Sequence, residues 1–304
     1  MRKFAIFTLA LVFAGLLINS CETTTDPLAD VPEAASGLMA TSKTSTSVRL
    51  KWTASASESN ALFAGYELSV TGGATAGPFT LTAAQNPYEV TGLEEGTVYT
   101  FTLKAKYTNG EVSDAVSVQW SPASRFTLNE NDAEIKIYEA ASSFGSGLVI
   151  YNPTTGAPKT AKVADGANWT LGLYTKNNEI AIGSPSLLDY AFGTTPGVVE
   201  IGDIFSGVTS LDDVYGSQAL SSQSFSEKKI DLKQYSSNIV IVLRYHMTGQ
   251  TGWNYAKVLV KYVSGSFLQG PAGNQYAELI VSHQLVTGVP YSKVSSNNSD
   301  NTIK

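Results

Sequence analysis

The sequence predicts an all-β protein made of two consecutive domains, an N-terminal β-sandwich and a C-terminal antiparallel β-rich domain. Apolar and polar residues alternate with a period of two through many short runs, which is typical of strands with one buried face. Glycine, asparagine and proline residues that favour turns separate these runs, and helix signals are weak. A chain of 304 residues is long enough for two domains of ordinary size.

The start of the chain has the pattern of a secretion signal. Arg2 and Lys3 precede a continuous apolar run at residues 4–18, which is shorter than the ~20 residues that a membrane-spanning helix needs. The run ends in the tetrapeptide Ile-Asn-Ser-Cys, which resembles a bacterial lipobox. We therefore expect export across a membrane.

The lipobox resemblance implies a signal peptide at residues 1–20 and lipidation of Cys21, followed by a lipidated tether at residues 21–30. An ordinary signal peptide with a chance cysteine is the alternative, but Cys21 is the only cysteine in the chain. Several acyl chains together make a stable anchor. The expected location is the outer membrane or the cell surface, with the membrane contacted through lipid.

The charge balance argues against nucleic acid as a partner. The chain carries 20 basic and 26 acidic residues, and the expected loss of Arg2 and Lys3 with the signal makes the remainder more negative. Phosphate binding needs clusters of basic residues, and the sequence contains none. With one cysteine, no intramolecular disulfide is possible, so packed cores must stabilise the fold.

The pattern of residues 31–122 predicts the first sandwich. The runs ending at Trp52, Val70 and Ala105 each alternate in the strand pattern, and seven such short strands fit into about 90 residues. The Thr-Ser-Val-Arg-Leu-Lys-Trp run and the Leu-x-x-x-Thr-x-Tyr spacing that ends at Tyr99 resemble a fibronectin type III domain. The resemblance implies that Trp52 is a core indole, that Tyr99 is a tyrosine corner, and that the domain is a spacer or interaction module.

Residues 124–294 predict the second domain, after a linker at residues 121–124, and residues 295–304 read as a flexible tail. The span 183–226 is predicted to be a long loop that contains one short helical turn beginning at Ser210. The predicted strands are Glu134–Tyr138, Leu148–Tyr151, Trp169–Tyr174, Glu179–Ile182, Ile230–Leu232, Ile239–Tyr245, Ala256–Val263 and Ala277–Leu285.

Signatures of enzymes are absent from the sequence. There is no nucleophile elbow, phosphate-binding loop or dinucleotide fingerprint, and no zinc motif of cysteines and histidines. Asp212 and Asp213 form an isolated carboxylate pair that we interpret as a solvated loop rather than a metal site. We therefore expect a protein that is not an enzyme and has no catalytic residues.

Both histidines of the chain lie in the second domain. His283 is in phase with Leu279 and Val281, so it is expected on the apolar face of its strand. His246 ends another strand beside a glycine-containing loop, and Met247 follows it. Imidazole and thioether groups are both axial ligands of haem iron. His246 and Met247 are therefore the first candidates for haem ligands and His283 is the third, with no other metal site expected.

Residues 130–291 resemble the HmuY family of haem-binding surface lipoproteins. The resemblance rests on the runs Gly-Leu-Val-Ile-Tyr-Asn-Pro from Gly147, Ala-Asn-Trp-Thr-Leu from Ala167, and Tyr-Ala-Lys-Val-Leu-Val-Lys-Tyr from Tyr255. A fourth run begins at Tyr276. The chain also departs from the family pattern. Thr170 replaces an aspartate, Leu173 replaces an aromatic residue, and the usual Thr-Asn-x-Gly run after that strand is missing. His283 stands where the family often has a tyrosine.

The HmuY resemblance implies an all-β domain that captures haem and passes it to an outer-membrane receptor. Tyr245, Trp253 and Tyr255 are the candidate walls of the pocket. The alternative is a surface protein that binds a glycan or another protein, because exposed tryptophan and tyrosine side chains also stack on sugar rings.

Overall fold

The computed structural model describes residues 30–73, 77–216, 224–246 and 249–289. The expected signal peptide, Cys21, the flexible tail and Met247 lie outside these residues. The described residues from Val31 onward belong to one compact unit. The described residues form antiparallel strands and short 3₁₀ turns, and they include no helix that is long and apolar enough to cross a membrane. The predicted all-β fold class is confirmed.

The first sandwich packs two antiparallel sheets against each other. One sheet has the order β1-β2-β5 and the other has the order β4-β3-β6-β7. The strands are β1 (Ser36–Thr44), β2 (Ser47–Thr53), β3 (Phe63–Thr71), β4 (Phe79–Leu81), β5 (Tyr88–Thr91), β6 (Tyr99–Tyr107) and β7 (Val116–Trp120).

Two aromatic side chains that the sequence predicted to pack inside this sandwich are found in its core. Trp52 is buried, and its ring meets that of Tyr66 edge-on, with centroids 5.4 Å apart. The hydroxyl oxygen of Tyr99 accepts a hydrogen bond from the backbone N–H of Glu94 at 3.0 Å, which is the predicted tyrosine corner. Trp52 and Tyr99 therefore serve packing rather than ligand stacking.

The second sandwich also has two antiparallel sheets. One has the order β11-β10-β12-β13-β15, and the other has the order β14-β16-β17-β18-β8, with β9 pairing β18 as well. The strands are β8 (Ser124–Phe126), β9 (Ile135–Tyr138), β10 (Gly147–Asn152), β11 (Ala157–Ala161), β12 (Leu171–Tyr174), β13 (Ala181–Gly183), β14 (Val198–Ser206), β15 (Lys229–Asp231), β16 (Ile239–His246), β17 (Asn254–Val260) and β18 (Tyr276–His283).

The main core of the second sandwich lies between these two sheets. It is aliphatic, and its members alternate along each strand so that one side of every central strand faces the opposite sheet. Representative members are Leu148, Ile150, Leu171, Leu173, Ile182, Ile241, Leu243, Val258, Leu279 and Val281. Burial of this apolar surface is the main stabilising term for the domain.

Two loop predictions need correction. The span 183–226 is not one long loop, because Val198–Ser206 forms a nine-residue strand that pairs with β16. The predicted short turn does exist within it: Leu211–Asp213 is a 3₁₀ turn, and the Ser210 hydroxyl accepts a hydrogen bond from the backbone N–H of Asp212. The predicted linker is also not a free connection, since Ala123 is buried in the first core and Ser124 begins β8.

The segment after β14 lies between the sandwiches. Gly216 and Ala40 exchange two backbone hydrogen bonds of 2.8 Å, so this segment pairs with the first sandwich at β1. On its other side, Leu211 and Val214 pack on the outer face of the six-stranded sheet beside Val242. This segment therefore contacts both sandwiches.

Candidate functional site

A cleft of about 510 Å³ lies at one end of the second sandwich. This volume is within the ~300–1,000 Å³ range of small-molecule sites. The cleft draws side chains from both sheets and from the connection between β16 and β17. Its lining includes Val149, Tyr151, Asn152, Lys159, Asp165, Asn168, Tyr245, Gln250, Asn254, His283, Leu285 and Thr287.

A tyrosine–histidine pair forms the buried part of the cleft wall. The Tyr245 hydroxyl lies 2.6 Å from His283 Nε2, and the two ring centroids are 5.6 Å apart. The ring of Tyr151 flanks the imidazole from the other sheet, at a centroid distance of 5.5 Å. His283 Nδ1 is buried without a hydrogen-bond partner among the described residues.

Burial controls the protonation of this pair. It lowers the pKa of His283 to about 3, because the charged imidazolium loses its hydration. It also raises the pKa of Tyr245 well above the usual range, and nearby Tyr151 adds to this effect. At neutral pH both groups are uncharged, so the imidazole keeps the lone pair that a metal ion or a donor group requires.

The rim of the cleft is polar. Asn152 donates to Glu130 at 2.7 Å, and Asn254 donates to the carbonyl oxygens of Gln284 at 3.2 Å and of Leu285 at 3.4 Å. These bonds hold the amide groups in place at the cleft edge. The lining also contains the ammonium group of Lys159 and the carboxylate group of Asp165.

His246 is not among the residues that line this cleft. It is adjacent to Tyr245 in β16, and neighbouring residues of a strand point to opposite faces of the sheet. Its ring packs against Trp253 at a centroid distance of 4.8 Å. Arg244 covers the same indole, with its guanidinium carbon 4.2 Å from the ring centroid.

The three residues predicted to form the pocket wall do not lie together. Tyr245 lines the cleft, whereas Tyr255 is buried in the cluster of side chains that forms the core of the first sandwich. Trp253 packs on the edge of that same cluster. Among the described candidates, the structure thus brings Tyr245 and His283 together at the cleft, and it places His246 beside Trp253 away from the cleft.

Asp212 does not lie in a solvated loop, in contrast to the sequence-based interpretation. Its carboxylate accepts hydrogen bonds from Arg125 and, at 2.6 Å, from Lys43, and Arg49 is 3.9 Å away. Burial opposes ionisation of this group, but the bonds from Arg125 and Lys43 outweigh it and hold the pKa of Asp212 below its usual value. Asp212 therefore joins the two domains electrostatically.

A buried lysine lies close to this network. Lys257 is 1% exposed, and its ammonium group donates to Thr41 Oγ1 at 2.8 Å and to the carbonyl oxygen of Val214 at 3.1 Å. Burial lowers the pKa of Lys257 to about 7, and the charge of Arg125 acts in the same direction. The sequence signal was a lysine in an otherwise apolar strand, which by itself did not identify its partners.

Comparison with known proteins bears on the first domain. Residues 32–119 match the family model described as the fibronectin type III domain. These residues form a fibronectin type III domain. Domains of this family are generally non-catalytic binding or structural modules. The family match ends at residue 119, so the resemblance of the second domain to the HmuY family stays a prediction.

Several solved structures are also similar to this chain. The FN5 domain of Drosophila Lar is 26% identical, covers 30% of this chain and 98% of its own, and has a TM-score of 0.22. A two-domain fibronectin type III segment of chicken tenascin is 10% identical over 75% of this chain and 99% of its own, with a TM-score of 0.27. The FN1–FN3 domains of chicken CNTN1 are 10% identical over 84% and 90%, with a TM-score of 0.25. No curated protein matches the chain.

Proposed function

We propose that this protein is an exported, lipid-anchored surface protein that captures haem in the cleft of its second domain and hands it to an outer-membrane receptor. No chemical turnover is involved. The observation that carries the proposal is the Tyr245–His283 pair in the wall of a cleft large enough for an organic ligand. The N-terminal signal and Cys21 support export and anchoring, because they match the lipobox pattern.

The chemistry of the pair fits ferric haem. Iron in haem proteins is held by imidazole nitrogen, and the imidazole of His283 is present here in its neutral form. The neutral phenol of Tyr245 is the hydrogen-bond partner of that imidazole. Tyr151, Val149 and Leu285 supply aromatic and apolar contacts for a flat macrocycle. Lys159 supplies a positive charge for a propionate group.

The test is a titration of the purified protein with ferric haem, followed by visible absorbance in oxidised and reduced forms. We expect a saturable, shifted Soret band at micromolar haem. His283→Ala and Tyr245→Phe should weaken binding by at least about tenfold, because each removes an axial donor or its partner. The absence of a saturable band in the unmodified protein would contradict haem capture.

Matched variants distinguish haem bound in the cleft from haem bound on the opposite face of the sheet. His246→Ala and Tyr255→Phe remove the same chemical groups at positions that do not line the cleft, so they should leave the Soret band unchanged. Loss of the band in His246→Ala alone would move the haem site to the face beside Trp253. Met247→Ala should be measured in parallel, because Met247 is the other ligand candidate from the sequence. Circular dichroism of each variant reports whether the fold is intact.

A glycan is the second candidate ligand. The observation that favours it is the number of amide, hydroxyl and carboxylate groups on the cleft rim, which suit the hydroxyl groups of a sugar. These side chains are Asn152, Asn168, Gln250, Asn254, Thr287 and Asp165. Calorimetric titration with oligosaccharides distinguishes the two, because sugar binding releases heat without a Soret band.

A further inference from the structure

The segment that follows β18, residues 284–289, belongs to two surfaces at once. Leu285 and Thr287 line the cleft of the second sandwich. The same segment also contacts the fibronectin type III domain at its loop around Glu95 and at the end of its last strand. A change in the position of this segment would therefore change the shape of the cleft.

Glu95 makes the direct connection. Its Oε1 atom accepts hydrogen bonds from the backbone N–H of Leu285 at 3.2 Å and of Ser124 at 3.0 Å. Its Oε2 atom accepts a hydrogen bond from the Ser124 hydroxyl at 2.6 Å. One carboxylate thus holds both the first strand of the second sandwich and the wall segment, and hydrogen bonds to a charged acceptor are stronger than neutral ones.

Gln284 and Val286 complete the contact. The side-chain amide of Gln284 is fully buried and donates to Ser121 Oγ at 3.2 Å and to the carbonyl oxygen of Pro122 at 3.0 Å. Val286 lies against Gly96, where an added Cβ would come within 2.3 Å of the valine Cγ2 atom. Val286 is therefore in close contact with the loop of the fibronectin domain at Gly96, although the residue is still 43% exposed.

The other side of the segment is held by the second sandwich. Asn254, which lines the cleft, donates to the carbonyl oxygens of Gln284 and Leu285. The backbone N–H of Gly288 donates to the carbonyl oxygen of Trp253 at 2.8 Å. The wall segment is thus held between β17 and the fibronectin domain.

We propose that the fibronectin type III domain is a working part of the ligand site, because Glu95 positions the cleft wall formed by residues 284–289. Glu95 is a positioning residue, since it acts through the backbone of Leu285. The domain is then not a detachable spacer. This inference concerns the geometry of the cleft, and only its binding consequence rests on the proposed function.

The test uses amide hydrogen exchange on the full chain. In Glu95→Ala, exchange in residues 284–289 should accelerate by about tenfold or more, since the acceptor of the Leu285 amide is lost. Exchange in β16 and β17 should stay unchanged. Glu95→Gln should give an intermediate acceleration, because its amide oxygen still accepts from a backbone N–H. Glu94→Gln, at the neighbouring exposed carboxylate, is the matched control and should have no effect.

Binding is the second readout, with ferric haem as the probe. Glu95→Ala should weaken haem binding by about fivefold or more, and Glu94→Gln should leave it unchanged, because only the first variant loosens the wall. If the unmodified protein does not bind haem, the proposed function fails, but the exchange measurement still decides this inference.

Two results would overturn the inference. One is unchanged exchange of residues 284–289 in Glu95→Ala. The other is acceleration spread evenly over both sandwiches, which would make Glu95 a general stabilising residue. Val286→Ala is an independent variant that leaves the Glu95 carboxylate intact. It should also accelerate amide exchange in the wall segment, without a matching loss of stability in the whole protein.

Discussion

The Tyr245 hydroxyl and the His283 imidazole lie 2.6 Å apart across β17, which separates their strands in the sheet. Both side chains project from the face of the sheet that covers the main core of the second sandwich. Because burial keeps each group uncharged at neutral pH, the hydrogen bond joins a neutral phenol to a neutral imidazole. This bond closes the inner end of the cleft.

The lowered pKa of His283 predicts a loss of stability in mild acid. An ordinary histidine has a pKa of 6.5, whereas His283 in the folded state has a pKa of about 3. Between these two pH values the unfolded chain binds a proton that the folded chain does not, so the free energy of unfolding falls as the pH drops from 6.5 towards 3. Urea denaturation at pH 7.5 and pH 5 should show this fall.

His283→Gln is the variant that tests the assignment. Glutamine still accepts a hydrogen bond from Tyr245 but does not titrate, so the part of the fall that His283 causes should disappear. His246→Gln is the control, and it should retain the fall in the free energy of unfolding that His283 causes. Equal pH dependence in the unmodified protein and in His283→Gln would show that His283 is not the group responsible.

Lys257 predicts a rise in stability with pH in the alkaline range, in the same direction as the effect of His283 in acid. The lysine pKa is 10.5 in the unfolded chain and about 7 in the folded protein. Between these values only the unfolded chain carries the proton, so this group makes the free energy of unfolding rise with pH from about 7 to 10.5. Lys257→Met should lose that rise, whereas Lys104→Met on the fibronectin domain should retain it. Chemical denaturation across this range measures the difference, and parallel curves for the two variants would contradict the prediction.

The ion pairs of Asp212 predict that this carboxylate stabilises the domain junction. Asp212→Asn leaves the cations of Lys43, Arg49 and Arg125 near one another without their shared anion, so the free energy of unfolding should fall by about 2 kcal/mol. The pKa of Asp212 is lowered, so its contribution is present above pH 3.8 and is lost as the pH falls through the lowered pKa. Thermal denaturation at pH 7 and pH 3 measures both effects. Asp114→Asn, at an exposed aspartate, should change neither.

The central strands could be predicted from the sequence, but three of the edge strands could not. Each strand predicted for the second domain has a counterpart, because a central strand with a buried face shows the period-two pattern. The strands that were missed, β8, β11 and β14, lie at the edges of their sheets. Edge strands tolerate proline, charge and bulges. Pro158 lies in β11, and the register of β14 shifts between Ile201 and Ile204.

The candidate site was only partly predictable for a different reason. The alternation along β18 placed His283 on the apolar face, and the structure finds it buried there. Alternation does not say which side chain of the opposite sheet meets it, and Tyr151 comes from a strand more than a hundred residues earlier. The connections of Lys257 to Thr41 and of Asp212 to Arg125 are equally remote in sequence.

The packing of Trp169 on β10 predicts that alanine substitutions at two glycines will differ sharply in their effect on the free energy of unfolding. Trp169 is fully buried, its indole nitrogen donates to the carbonyl oxygen of Lys162 at 2.9 Å, and aromatic rings of Tyr190 and Phe192 surround it. A Cβ at Gly147 would lie 2.0 Å from the indole ring, so Gly147→Ala should lower the free energy of unfolding by about 3 kcal/mol or more. Gly193→Ala meets no atom within 4 Å and should change it by less than about 0.5 kcal/mol. Denaturant titration of the two variants measures this contrast, and similar stabilities would mean that the indole is free to move aside.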